Sequence, residues 1–127
     1  THGMQNQLIA DAGYDFTPSE IKPTVLAPDI SLAEDGAVPV QGAPYDQTPP
    51  LLAVEVVSPS ETRAYMADKV AIYLRGGVQV IWVIWPDLRT ADVWDATGMQ
   101  TLTETEILTG GTLLPGFAVL VRDIFPE

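Results

Sequence analysis

Residues 49–60 read Pro49-Pro50-Leu51-Leu52-Ala53-Val54-Glu55-Val56-Val57-Ser58-Pro59-Ser60. Leu51–Val57 is a short apolar run, rich in β-branched residues and bounded by proline, which signals a buried strand. One acid, Glu55, interrupts it. A carboxylate in such a place costs several kcal/mol to desolvate unless something compensates it. Three outcomes are open: Glu55 is protonated, it is paired with a base, or it binds a metal.

Working towards the carboxyl terminus, Ser58 with Glu61 three positions on fits a capping box, with Pro59 at the first helical position and Ser60 as a second candidate cap. The spacing of Met66, Val70, Tyr73 and Leu74 predicts a helix running to about Arg75, stopped by Gly76-Gly77. Val78–Trp85 (VQVIWVIW) is a near-continuous apolar strand of the kind found at a sheet centre. Strand, helix and strand in this order suggest a right-handed parallel crossover. Thr90–Asp95 and Met99–Glu104 form a predicted hairpin around Ala96-Thr97-Gly98. Glu106–Gly111 reads as a loop or single turn, Leu113–Val121 as a Pro115-Gly116 turn followed by a strand, and Asp123–Phe125 as a terminal turn.

Working towards the amino terminus, Ala33–Thr48 reads as a long loop of the size usually kept for functional segments. Thr24–Leu32 (TVLAPDISL) reads as a strand with Pro28 at an edge, bend or bulge. Its only charge is Asp29. Thr17–Pro23 is a loop, Gln7–Phe16 is ambiguous between a short helix and a strand, and Thr1–Asn6 has no clear periodicity. The expected fold is one α/β domain over residues 1–127 with a mixed sheet.

Composition narrows the function. The 127 residues are 46% hydrophobic, enough for a real core. No stretch approaches a membrane span and no signal peptide is evident. A soluble cytoplasmic protein is the default expectation. The absence of cysteine excludes disulfides and cysteine-rich zinc sites. The single histidine, His2, stands at the extreme amino terminus. Seventeen acids against six bases give a net charge of −11. Such a surface repels nucleic acid at long range, so any nucleic-acid chemistry has to rest on local groups.

Asp29 and Glu55 are each the single acid of an apolar strand. On neighbouring strands their carboxylates converge, and two acids in a weakly hydrated site ionise together only with a cation between them. Mg²⁺ sits on one or two carboxylates and keeps several waters, and the Val56 carbonyl offers a further oxygen. Such a site polarises a phosphodiester and activates water. Tyr65, Lys69 and Tyr73 are four apart and share a helix stripe, from which Lys69 either snorkels outward or reaches Glu55 to steady developing charge. Each residue also has a plain structural reading. Asp29 after proline suits a turn, Glu55 suits an ion pair with Lys69 or Arg63, and Lys69 suits solvent. Ser58 is a cap rather than a nucleophile, because no histidine can serve as its base. The three tryptophans suit the core, and Arg63 and Arg75 suit a solvated helix face.

The ordered series APDISLAE, PPLLAVEVVSPSET, KVAIYLRGGVQVIWVIWPDLRTADVW and LLPGFAVLVRDIF resembles the Uma-two family, over roughly Ile9 to Phe125. This is a bacterial group of endonucleases with the restriction-endonuclease-like, PD-(D/E)XK fold. The resemblance implies a mixed sheet flanked by helices, here with an added β-hairpin, Mg²⁺ (or Mn²⁺) as cofactor and DNA as substrate. It matches Asp29 to the acid of the PD motif and Glu55 to the second acid. The lysine of the parent pattern falls at Val57 here, and the resemblance places it instead at Lys69 on the following helix. It also implies a longer amino-terminal region, so the amino-terminal helix is expected to be shortened or absent. Apolar surface left exposed in this way suits a homodimer. The competing expectation is a nuclease-fold domain that has lost catalysis and serves as an interaction or dimerisation module.

Overall fold

The computed structural model describes residues 28–33 and 49–127, together with the backbone of three short strands, β1 (Gln7–Ala10), β2 (Tyr14–Asp15) and β3 (Val25–Leu26). The expectations for 1–6, 17–23 and 34–48 lie outside the described residues. The ambiguous segment around Gln7–Phe16 supplies strands β1 and β2. The rest of the question of an amino-terminal helix lies outside the described residues as well.

The predicted single strand over Thr24–Leu32 is two strands in different sheets. β3 pairs with β2, whereas β4 (Ile30–Ala33) joins the main sheet. The break falls at Pro28-Asp29, because proline brings no N–H to a ladder. The main sheet has six strands in the order β1-β4-β5-β6-β7-β8, with β5 (Leu52–Val56), β6 (Val80–Trp85), β7 (Thr90–Asp95) and β8 (Gly98–Leu102). β5 and β6 are parallel, with Glu55 beside Val83, and the other pairs are antiparallel. The sheet is therefore mixed, as expected, with its two most apolar strands at the centre.

Helix α1 (Arg63–Arg75) makes the parallel crossover, and it starts later than predicted. Ser58 and Glu61 close a turn of their own. The Glu61 N–H donates to the Ser58 carbonyl (3.0 Å), and the Ser58 N–H donates to Glu61 Oε1 (2.8 Å). With those groups used, the cap passes to Thr62, whose Oγ1 accepts the Tyr65 N–H at 3.1 Å. The carboxyl end closes in a Schellman arrangement. The N–H of Val78 reaches the carbonyl of Tyr73, and the N–H of Gly77 reaches that of Leu74. Gly77 takes φ +103°, a conformation that favours glycine.

Residues 106–111, expected as a loop, contain β9 (Ile107–Gly110), which pairs with β10 (Leu114–Leu120). Pro115-Gly116 is a bulge within β10 rather than a turn before it, since the register shifts between Leu114 and Ala118. Burial of Leu108 against the main sheet selects the strand here. The chain ends in a 3₁₀ turn over Val121–Ile124.

Strand alternation divides the core in two. Ala53, Val57, Ile81, Val83 and Trp85 face α1, where Met66, Val70 and Tyr73 cover them. Leu52, Val54, Trp82 and Ile84 face Leu108, Val121 and Phe125. Among the described residues one α-helix covers one face, and β9, β10 and the 3₁₀ turn cover the other. The mixed sheet with a flanking helix is as expected, and among the described residues that helix is α1. No helix among the described residues is long and apolar enough to cross a membrane.

Candidate active site

The period of two in β5 sends Ala53, Glu55 and Val57 to the α1 face. Glu55 is thereby 3% exposed, in the middle of an apolar layer. Two residues of α1, one helical turn apart, come down on it. Lys69 Nζ lies 3.0 Å from Oε1, and the Tyr73 hydroxyl donates to Oε2 at 2.5 Å. Burial pushes the Glu55 carboxyl above its ordinary range. The bonds from Tyr73 and Lys69 and the lysine charge pull it back, and the charge of Asp29 adds to the rise. The Tyr73 hydroxyl is held far above its usual value, chiefly by burial and then by the charge of Glu55, so it stays protonated and donates.

Asp29 stands just before β4, where the ladder has ended. Its Oδ2 accepts the N–H of Val56, at the end of β5, at 2.7 Å. The acid thus supplies the acceptor that a further β4 residue would have given. A residue in an extended strand turns its N–H and C=O to the same edge. The Val56 carbonyl therefore emerges on the Asp29 side, next to the peptide that carries Glu55.

The four residues picked from the sequence meet at the carboxyl end of β5. The plain reading of Lys69 as a solvated lysine gives way, since its side chain is 13% exposed and ion-paired with Glu55. Arg63, the other candidate partner of Glu55, lies instead over the Trp85 ring at 4.8 Å. Val57 packs in the core below α1, on the same face as Glu55, so the lysine on α1 brings an amine to the side where a residue-57 lysine would have stood. The Ser58 Oγ lies 3.3 Å from that of Ser60. Trp82 and Trp85 are core residues.

Tyr73 is a contributor that the sequence reading does not single out, and Asp92 is a second buried polar residue, outside the contacts of Glu55. Tyr73 was visible only as an apolar member of the Tyr65–Lys69–Tyr73 stripe, and its place one turn beyond Lys69 was the available signal. Asp92 is buried on β7, across Val83 from Glu55. It accepts from Trp85 Nε1 (2.9 Å) and Thr101 Oγ1 (2.7 Å). Its signal was the inward place it takes in the alternation of TADVWD.

Two carboxylates and a main-chain carbonyl form a hard-oxygen donor set, suited to a small divalent cation whose remaining positions water fills. Among the described residues no cluster of three or more acidic, histidine or cysteine side chains could hold a metal by itself. Any ion here would rest on two side chains.

A family model described as "Uma2: Putative restriction endonuclease" matches residues 2–124. Among solved structures, the fold is similar to that of a putative nuclease belonging to DUF820 from Anabaena variabilis ATCC 29413. The TM-score is 0.79 at 17% identity, over 94% of this chain and 67% of that one. At that identity the likeness carries the fold alone. No curated protein matches the chain.

Proposed function

The chain belongs to the Uma2 family, described as putative restriction endonucleases, and from that footing we propose that it is a divalent-metal-dependent nuclease that hydrolyses DNA phosphodiesters. The observation that carries the reading is the buried Glu55, met by an amine from α1 at 3.0 Å and tied through its own strand to Asp29. Asp29, Glu55 and the Val56 carbonyl would hold the ion, with Mg²⁺ or Mn²⁺ fitting oxygen donors. When bound, the ion would polarise the phosphate and lower the pKa of a water. Lys69 orients that water or steadies charge developing on the phosphate, and it has a short path to do so from its place on Glu55. Tyr73 holds the Glu55 carboxylate in one rotamer. The net charge of −11 gives DNA no long-range attraction. Binding would then depend on local contacts and on the ion itself.

A second reading has its own support. Both oxygens of Glu55 already have donors, from Lys69 and Tyr73. A carboxylate satisfied in that way needs no metal, which favours a nuclease-fold domain that serves as an interaction module. Calorimetric titration with Mg²⁺ and Mn²⁺, alongside a plasmid-nicking assay, separates the two. The nuclease reading expects binding heat that Asp29→Ala removes, and nicking that Glu55→Gln abolishes while the circular dichroism spectrum is kept. Nicking that persists undiminished in Glu55→Gln would overturn the assignment. Absence of both heat and nicking in the wild type would favour the second reading.

A further inference from the structure

The two groups that hold the Glu55 carboxylate differ in their freedom to move. Tyr73, on Oε2, is fully buried, and its ring is packed in the core under α1. Lys69, on Oε1, ends a flexible stem, and its side chain is 13% exposed. Its Nζ also lies 5.8 Å from the centre of the Tyr65 ring. Tyr65 stands one helical turn towards the amino end of α1 and is 50% exposed. An ammonium at that distance is attracted to an aromatic face. Lys69 therefore has two partners within reach, a buried carboxylate and a half-exposed ring.

We propose that Lys69 is a placeholder cation: a divalent ion taken up by Asp29 and Glu55 displaces the Lys69 ammonium from Glu55 Oε1 towards the face of Tyr65. This rests on the metal-binding reading of Asp29 and Glu55.

Charge balance decides between displacement and sharing. Asp29 and Glu55 carry two negative charges, and Lys69 neutralises one of them. A divalent ion neutralises both by itself. An ammonium kept beside it on Oε1 would leave one positive charge in excess, in a poorly hydrated layer where like charges repel strongly. The Tyr73 hydroxyl is a neutral donor and has no such conflict with the ion. Lys69 is also the donor with somewhere else to go. The filled oxygens of Glu55 are then the resting arrangement of the site, with the amine standing where the ion would act.

The displacement has a consequence for substrate. While Lys69 is paired with Glu55, its charge is spent inside the protein. Once released, it is free to meet a phosphate. The order of binding is therefore ion first and nucleic acid second. That order suits a chain whose net charge of −11 supplies no general attraction for phosphates.

Lysine side chains report the movement directly. The chain has two lysines, Lys22 and Lys69, so isotopic labelling at lysine Cε gives two NMR signals, which Lys69→Met assigns. Mg²⁺ added to the full chain is expected to shift the Lys69 signal in step with the calorimetric isotherm. It is also expected to strengthen cross-relaxation between the Lys69 Cε protons and the Tyr65 ring protons. Asp29→Ala should abolish both changes. In Lys69→Met no amine has to leave, so at mildly alkaline pH Mg²⁺ is expected to bind about tenfold or more tightly than in the wild type. Mg²⁺ should also raise the thermal midpoint of Lys69→Met more than that of the wild type. A wild type that binds Mg²⁺ with its Lys69–Tyr65 cross-relaxation unchanged would overturn the inference and leave the metal-binding reading standing. So would a folded Lys69→Met of equal or weaker affinity. No binding heat in either protein would remove the metal-binding reading and this inference with it. The labelled wild type carries the test by itself if Lys69→Met fails to fold.

Discussion

Lys69 on α1 and Glu55 on β5 are fourteen residues apart in sequence and 3.0 Å apart in space. The contact joins the helix of a parallel crossover to the strand that precedes it. It is also shielded: the side chains are 13% and 4% exposed. Breaking such a pair from one side leaves a charge in an apolar layer, which costs more than the pair contributes when intact.

Lys69→Met is therefore expected to destabilise the fold by about 3 kcal/mol at neutral pH. The loss should shrink towards acid pH, where Glu55 protonates and no longer needs the amine. The double variant Glu55→Gln/Lys69→Met should recover most of the stability. Urea unfolding of the four proteins gives the coupling directly, and additive effects would show that the two groups do not interact.

Tyr73→Phe tests the other half of the carboxylate's environment. It keeps the ring and removes a buried hydroxyl that donates to a charged acceptor, so the expected cost is about 1.5–3 kcal/mol. With that donor gone the Glu55 carboxyl should titrate still higher. Carboxyl carbon NMR of Glu55 in the two proteins reads the shift, and an unchanged titration would mean that the hydroxyl does not matter to the acid.

The pH dependence has a definite sign. Glu55 is raised in the folded state, so the folded chain holds this proton more tightly than the unfolded chain. Its effect is a loss of stability that begins as pH rises above the unfolded value and is complete above the folded one. The wild type should then lose stability relative to Glu55→Gln across that window. Asp95 runs the other way: donation from the Thr97 hydroxyl and N–H lowers it. Its stabilising effect is present above the unfolded value and is lost as pH falls through the folded one. Thermal midpoints of wild type, Glu55→Gln and Asp95→Asn across acid pH should show slopes of opposite sign.

Gly77→Ala should cost about 1–2 kcal/mol, because a residue with a Cβ resists φ of +103°. The added carbon would also stand 3.2 Å from Pro49 Cγ, tightening the packing where β5 begins. Chemical denaturation gives the value, and a neutral result would mean that the chain reverses here by another route.

The sheet core was legible because its strands are long in apolar residues and its crossover helix has a clear period. Glu55 stood out as a charge where none should be comfortable, and Lys69 stood out by its helical offset. What escaped was whatever depended on competition between local bonds. Ser58-Glu61 satisfied each other in a turn, and the cap moved to Thr62. β9 is short, and its strand character comes from burial of Leu108 against a sheet distant in sequence, whereas the apolar run of β10 after Pro115-Gly116 reads as a strand from the sequence itself. Tyr73 looked like one more core aromatic, since nothing in its type shows which way a hydroxyl will point.

The bond from the Val56 N–H to Asp29 links the geometry of the proposed site to strand alignment. Side chains alternate along β5, so a slip of one position between β4 and β5 would turn Glu55 away from α1 and leave Asp29 facing the wrong peptide. The two acids are set, or lost, together. Folding errors at this seam would yield a chain with an intact helix but with the two acids apart, and under the proposed function only molecules in which these two strands have found their single correct alignment would be competent.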